Sequence, residues 1–160
     1  MKLLIREIGL EKVVLVGQSH GGFLAQVIAQ RHPDMVDGLV ISNSGCMYEG
    51  LDDERIYMTE FFRYMFSKLT NKGERHMCNL MIDLLAIPRM SKRDFAYFDG
   101  KVLHLLSKDD NTFSEGIKAG LTEMMTNPEV STEPDGGHLA LILKIDDFIT
   151  QVSRFIDEKL

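Results

Sequence analysis

The chain has 160 residues, 44% hydrophobic and 26% charged, with a formal net charge of −6. That length suits one domain with its own core, and the composition is globular rather than disordered. The acidic balance, with no basic cluster, argues against nucleic acid as a partner. No apolar run reaches the roughly 18 residues of a membrane span, which argues against a membrane one, and two cysteines are too few for a disulfide scaffold.

The first ten residues predict a short amphipathic helix with Leu3, Leu4 and Ile8 on one face, ended by Gly9 as its C-cap. Their apolar run is shorter than a signal peptide requires and is broken by Arg6 and Glu7, so a cytoplasmic location is expected. Val13-Val14-Leu15-Val16-Gly17 is a β-branched run that predicts a strand buried on both faces. From Gly21 to Arg31 the apolar spacing turns helical, and Pro33 stops the helix. Further strands are expected over 38–42, 102–106 and, more weakly, 129–132. A helix is expected over 114–125. The spacing of Leu141, Ile145, Phe148, Ile149, Val152, Phe155 and Ile156 predicts one long amphipathic helix.

This alternation of strand and helix predicts an α/β class with a mostly parallel sheet of about four strands flanked by helices. Residues 48–98 interrupt the alternation. They hold helical patterns (Ile56, Phe61, Phe62, Met65 and Leu69, then Met77, Leu80, Met81, Leu84 and Leu85) and no strand signal. The expected division is therefore a core of 1–47 and 99–160 with a helical cap insertion of 48–98, over the sheet edge where open α/β sheets bind ligands. The Met and Phe stripes of that insertion predict an apolar group in a small-molecule substrate.

Three places could carry chemistry. Gly17-Gln18-Ser19-His20-Gly21-Gly22 lies where the first strand becomes a helix. A serine on so tight a turn needs small residues beside it, and glycines on both sides relieve the crowding. Ser19 there is either a helix N-cap or an exposed nucleophile at the positive end of the helix dipole. Asp109-Asp110 follows the third strand, and either carboxylate could orient a histidine or simply close a turn. Gly136-Gly137-His138 puts an imidazole on a loop between the last strand and the last helix. Serine, acid and histidine, each after a different strand and in that order, match the triad order of one fold.

Residues 10–22 resemble the nucleophile elbow of the α/β-hydrolase superfamily, 102–110 resemble its acid-bearing strand, and Gly136-Gly137-His138-Leu139 resembles its histidine loop. The resemblance spans both ends of the chain and skips the middle, where the family inserts its cap. It begins at the helix before the elbow strand, so the chain corresponds to the family's C-terminal portion, without the earlier strands. It implies Ser19 as nucleophile, His138 as general base, and the backbone N–H of His20 as an oxyanion-hole donor. In the family a glycine precedes the acid by three positions. That register puts Ser107 in the glycine's place and favours Asp110 over Asp109 as the triad acid.

The implied activity is hydrolysis of a small ester, amide or related acyl compound through an acyl-enzyme, without a cofactor. Carbon–carbon cleavage and other serine chemistries occur on the same triad. Because the family's other oxyanion loop has no counterpart here, the alternative is a catalytically impaired or non-catalytic ligand-binding protein on the same fold. The first strand, lacking its usual neighbour, predicts a homo-oligomer paired through that exposed edge. Clustered metal ligands are absent from the five histidines and two cysteines, so no metal is expected. Of the remaining histidines, His104 is expected in the core, His32 at a helix C-terminus and His76 at the surface. The His20 side chain either lines the pocket or faces solvent.

Overall fold

A computed structural model describes residues 2–46, 48, 51–85, 89–132 and 135–160. By its internal contacts the chain divides into two compact units, one made of Met1–Cys46 with Ser91–Leu160, the other of Met47–Met90. Among the described residues no helix is long and apolar enough to cross a membrane.

The first unit is built on a sheet of four parallel strands among the described residues, β1 (Val13–Gln18), β2 (Val36–Ser42), β3 (Val102–Leu105) and β4 (Glu129–Ser131), in spatial order β1-β2-β3-β4. Apolar runs supply most of this in β1, β2 and β3, since a strand buried on both faces needs apolar side chains at consecutive positions, whereas β4 (Glu-Val-Ser) is only partly buried. β2 meets that demand most fully, with Leu39, Val40 and Ile41 all sealed from solvent. β1 lies at the sheet edge, so the burial on both faces expected for it does not hold: its Val16 is half exposed.

On one face Val40, Leu103, Leu105 and the partly buried Val14 pack against Phe148, Val152 and Phe155. Those three project from α7 (Ile145–Lys159) at helical spacing. Leu39, Ile41, Val102 and His104 alternate to the other face and are equally buried. Helix α2 (His20–Arg31) follows β1, and α5 (Glu115–Met124) connects β3 to β4. α5 starts where sequence reading placed it, because the Ser114 side chain accepts the Ile117 N–H at 3.2 Å as an N-cap.

Three expectations change. The opening helix, α1 (Lys2–Glu7), ends at Gly9 with φ +75° as expected, but it turns a different face inward. Ile5 is buried, while Leu3, Leu4 and Ile8 are exposed. The single long terminal helix is two, α6 (Ala140–Leu143) and α7, parted at Lys144 with non-helical φ −129° and ψ 45°. Asp146 and Asp147 in the first turn of α7 complement its dipole and favour a fresh start there. Finally, the inserted segment ends earlier than 98. Lys92–Phe98 is a 3₁₀ helix of the sheet unit, and its Phe95 and Phe98 are fully buried. Each such burial is worth about 1.5–3 kcal/mol.

The second unit consists of α3 (Asp52–Ser67) and α4 (Lys72–Leu85) packed on each other, with a bridge between Tyr48 and Met90 joining its ends. Asn71 caps α4 by accepting the Gly73 and Glu74 N–H groups at 2.8 and 3.3 Å. Within α3 the rings of Phe62 and Phe66 stack at 5.4 Å. The predicted stripe is only partly inward: Phe62 and Leu69 are half-buried, whereas Ile56, Phe61 and Met65 are exposed. On α4, Met77 and Leu80 are exposed. The side chains of Met81, Leu84 and Leu85 lie outside the described residues.

Candidate active site

The turn from β1 into α2 is built by steric demand. Ser19 has φ 52° and ψ −122°, a backbone conformation that a residue with a Cβ adopts only when its surroundings enforce it. Ser19 N–H donates to Ser42 O at 2.9 Å, extending the sheet ladder one residue past β1. The Ser44 hydroxyl donates to Ser19 O at 2.8 Å. The Ser19 side chain makes no capping hydrogen bond to α2, so the N-cap reading of this hydroxyl fails.

Two of the three glycines make the turn possible. A Cβ on Gly17 would lie 2.4 Å from Gly21 O, and a Cβ on Gly22 would lie 2.7 Å from Ser44 Cβ. A Cβ on Gly21 would meet nothing within 4 Å. The expected relief by glycines on both sides of Ser19 therefore falls to Gly17 before it and Gly22 after it.

The structure brings all three expected side chains together. His138 Nε2 is 2.9 Å from Ser19 Oγ, and His138 Nδ1 is 2.9 Å from Asp110 Oδ2. The two candidate carboxylates part company here. Asp110 is only 1% exposed and reaches the imidazole, while its Oδ1 accepts the Thr112 N–H at 2.8 Å. Asp109 turns to the backbone instead and accepts the Gly136 and Gly137 N–H groups at 2.9–3.2 Å.

Burial pushes the Asp110 carboxyl up, but the His138 hydrogen bond and the Thr112 contacts outweigh it, and the net direction is down. Asp110 is therefore a carboxylate at neutral pH. Asp109 is also held below the usual range, chiefly by the Gly137 N–H.

The loop that carries His138 is held from three strands. Gln18, at the end of β1, donates its side-chain amide to His138 O. Asn43, just past β2, donates to Gly137 O at 3.0 Å. Asp109, past β3, holds the two glycine amides already described. The Phe113 ring lies against the imidazole, with centroids 5.7 Å apart. Lys118 from α5 donates to Asp110 O at 2.7 Å, fixing the acid loop from the other side.

His20 is the first residue of α2, so its N–H has no helical carbonyl four residues back to pair with. It is adjacent to Ser19 and belongs to the positive end of the helix dipole. Its side-chain Nε2 is sealed from solvent, and burial holds this imidazole below its ordinary pKa. His104 is fully buried in β3, as expected, with both ring nitrogens unpartnered among the described residues, and burial lowers its pKa to about 3. Cys46 is buried, with Sγ 3.6 Å from Ile117 O. His32 closes α2 by donating its N–H to Ile28 O at 2.8 Å, and His76 is exposed, both as expected. Sequence reading passed over Gln18, Asn43 and Ser44. Their one signal was position, since each sits at the C-terminal end of a parallel strand, where such sheets place their sites.

A parallel sheet whose first strand turns sharply through a strained serine, with acid and histidine following later strands, defines the α/β-hydrolase class. Comparison with known proteins agrees. Residues 1–93 match the family model described as alpha/beta hydrolase fold, and the chain belongs to that family. By family, then, it is an alpha/beta hydrolase. The matched region includes Ser19, whereas Asp110 and His138 lie beyond it.

Among solved structures, an alpha/beta hydrolase enzyme from a Medee basin deep-sea metagenome library is similar at 20% identity. The match covers 99% of this chain and 70% of that one, with a TM-score of 0.69. A second alpha/beta hydrolase enzyme, from the metagenome of lagoon sediments of Mar Chica, Morocco, is 21% identical, with 98% and 66% covered and a TM-score of 0.71. The meta-cleavage product hydrolase of Pseudomonas fluorescens is 19% identical, with 97% and 68% covered and a TM-score of 0.64. The chain thus spans about two thirds of the length of these structures. No curated protein sequence matches it.

Proposed function

We propose that this chain is a serine hydrolase that opens small esters, amides or related acyl compounds through an acyl-enzyme on Ser19. The observation that carries this reading is the unbroken relay of two 2.9 Å contacts, Ser19 Oγ to His138 Nε2 and His138 Nδ1 to Asp110 Oδ2. His138 takes the Ser19 proton as Oγ attacks the acyl carbon, and Asp110 accepts the Nδ1–H and stabilises the imidazolium that forms. The oxygen of the tetrahedral intermediate takes the backbone N–H of His20, where the α2 dipole adds to the hydrogen bond. His138 then gives its proton to the leaving group, and the same base activates the water that frees Ser19.

Asp110 supports this assignment because an ionised carboxylate is what holds the imidazole in the tautomer with Nδ1 protonated. An apolar acyl or alkyl group is the preferred substrate moiety, on the strength of the Met and Phe content of the inserted helices.

The test is covalent labelling with a fluorophosphonate probe. Wild-type chain is expected to label at Ser19, and Ser19→Ala is expected to lose all labelling while melting like wild type. A folded wild-type chain that stays unlabelled would favour the ligand-binding alternative.

A further inference from the structure

We propose that Asn43 is a positioning residue for this reaction, its one buried carboxamide fixing the acid loop and the histidine loop relative to each other. The proposal rests on the triad reading above and adds to it a residue that touches none of the reacting atoms.

Asn43 follows β2 directly and has φ +40°, a left-handed conformation that asparagine tolerates better than most residues. It is 3% exposed. Its N–H donates to Leu105 O at 2.9 Å, which anchors its backbone to β3. Its side chain then works in two directions. Oδ1 accepts the Ser107 N–H at 2.8 Å, and Nδ2 donates both to Ser107 Oγ and to Gly137 O, each at 3.0 Å.

Those partners are the two places that matter. Ser107 opens the turn that holds the acid, since Asp110 N–H donates to Ser107 O at 3.1 Å. Gly137 is bonded directly to His138. A single planar amide therefore spans the turn that holds Asp110 and the residue before His138, from a third strand end independent of both.

The chemistry of the side chain fits the task. Bridging an N–H and a carbonyl from one point needs a donor and an acceptor on the same short group, which asparagine supplies. Aspartate keeps the acceptor and loses the donor. A buried amide with unmet hydrogen bonds would be costly, so its place here depends on these partners. A displacement of the imidazole by about 1 Å is enough to cost on the order of a hundredfold in rate. The hydrogen bonds of the bridge go to Ser107 and Gly137, not to the side chains of Ser19, His138 or Asp110.

The experiment uses the full chain and compares wild type, Asn43→Asp and Asn43→Gly, with Ser19→Ala as the blank. Three quantities are read: the fluorophosphonate labelling rate from pH 5 to 9, the downfield proton resonance of the His138 Nδ1–H, and thermal melting. Asn43→Asp sets a carboxylate against Gly137 O, and Asn43→Gly accepts the positive φ but abolishes the bridge. Both are expected to melt cooperatively, to label about tenfold to a hundredfold more slowly, and to shift or broaden the imidazole resonance. Wild-type labelling rate and resonance in both variants would overturn the proposal. Loss of cooperative melting in both would also overturn it, by making Asn43 a folding residue. Absence of Ser19-dependent labelling in wild type would bring down the triad reading itself, a failure separable from the other two because it precedes any variant.

Discussion

Ser19 and His138 come within 2.9 Å of each other by opposite routes. The serine is placed by exclusion. Gly17 and Gly22 leave no room for a Cβ, the chain must turn where it does, and Ser19 absorbs the strain in its own backbone. The histidine is placed by attachment. Its loop follows a three-residue strand and two positive-φ glycines, Gly136 and Gly137, and hydrogen bonds from Gln18, Asn43 and Asp109 hold it. One half of the site tolerates no added atom at Gly17 or Gly22. The other tolerates changes of shape but depends on partners from distant sequence.

The largest expected effect breaks the steric half. Gly17→Ala puts a methyl 2.4 Å from a backbone carbonyl oxygen that cannot move without carrying α2 with it. Destabilisation of about 3 kcal/mol or more is expected in urea titration, together with loss of probe labelling. A variant that melts like wild type would mean the turn is not set by packing.

The next effect concerns the sheet that both halves stand on. His104 pairs in register with Ile41 and Val130 and is held neutral, with its pKa near 3 against an unfolded value of 6.5. The unfolded chain therefore binds a proton below pH 6.5 that the folded chain refuses. Stability should therefore fall as the pH drops from 6.5 toward 3. His104→Leu should flatten that part of the curve and raise stability at pH 4.5, as read by urea titration at pH 7 and pH 4.5. Equal pH slopes for the two chains would contradict the burial of this imidazole.

A smaller effect sharpens the attached half. Asp109→Ala removes the acceptor shared by the Gly136 and Gly137 N–H groups. The loop should be cut faster by protease and labelling should slow about tenfold, with little change in the melting curve. Because the Asp109 carboxylate is held below its ordinary range, this clamp is present at neutral pH and is lost as acid protonates it. The smallest effect is expected at Gly21→Ala. Its methyl meets open space, and replacing glycine inside the first turn of α2 should be neutral or stabilise by up to about 1 kcal/mol. A large loss there would show that the turn is crowded at Gly21 as well as at Gly17 and Gly22.

Much of this site was legible because its signals are local. A β-branched run ending in Gly-Gln-Ser-His-Gly-Gly states strand, tight turn and helix within a dozen residues. Gly136-Gly137-His138 states a flexible loop carrying an imidazole. What escaped sequence reading was relational. Asp109 and Asp110 are adjacent and chemically identical; the resemblance favoured Asp110 as the acid, but nothing local told that Asp109 would hold the glycine amides. Asn43 has no motif around it, because its partners are 64 and 94 positions away. The inward face of α1 has a related cause: in a helix of six residues, Ile5 competes with Leu3 and Leu4, and the neighbour that buries one face decides.

The amino-acid sequence by itself determined the parallel α/β layout, the strained serine turn and the order of serine, acid and histidine, because each follows from side-chain size, branching and the need for glycine at short range. Only the tertiary structure decided what the second aspartate holds, which of the two glycines after the serine is crowded, and which distant amide bridges the two loops. Those choices depend on how strand ends lie side by side, and hydrogen bonds across such ends leave no periodic trace along the chain.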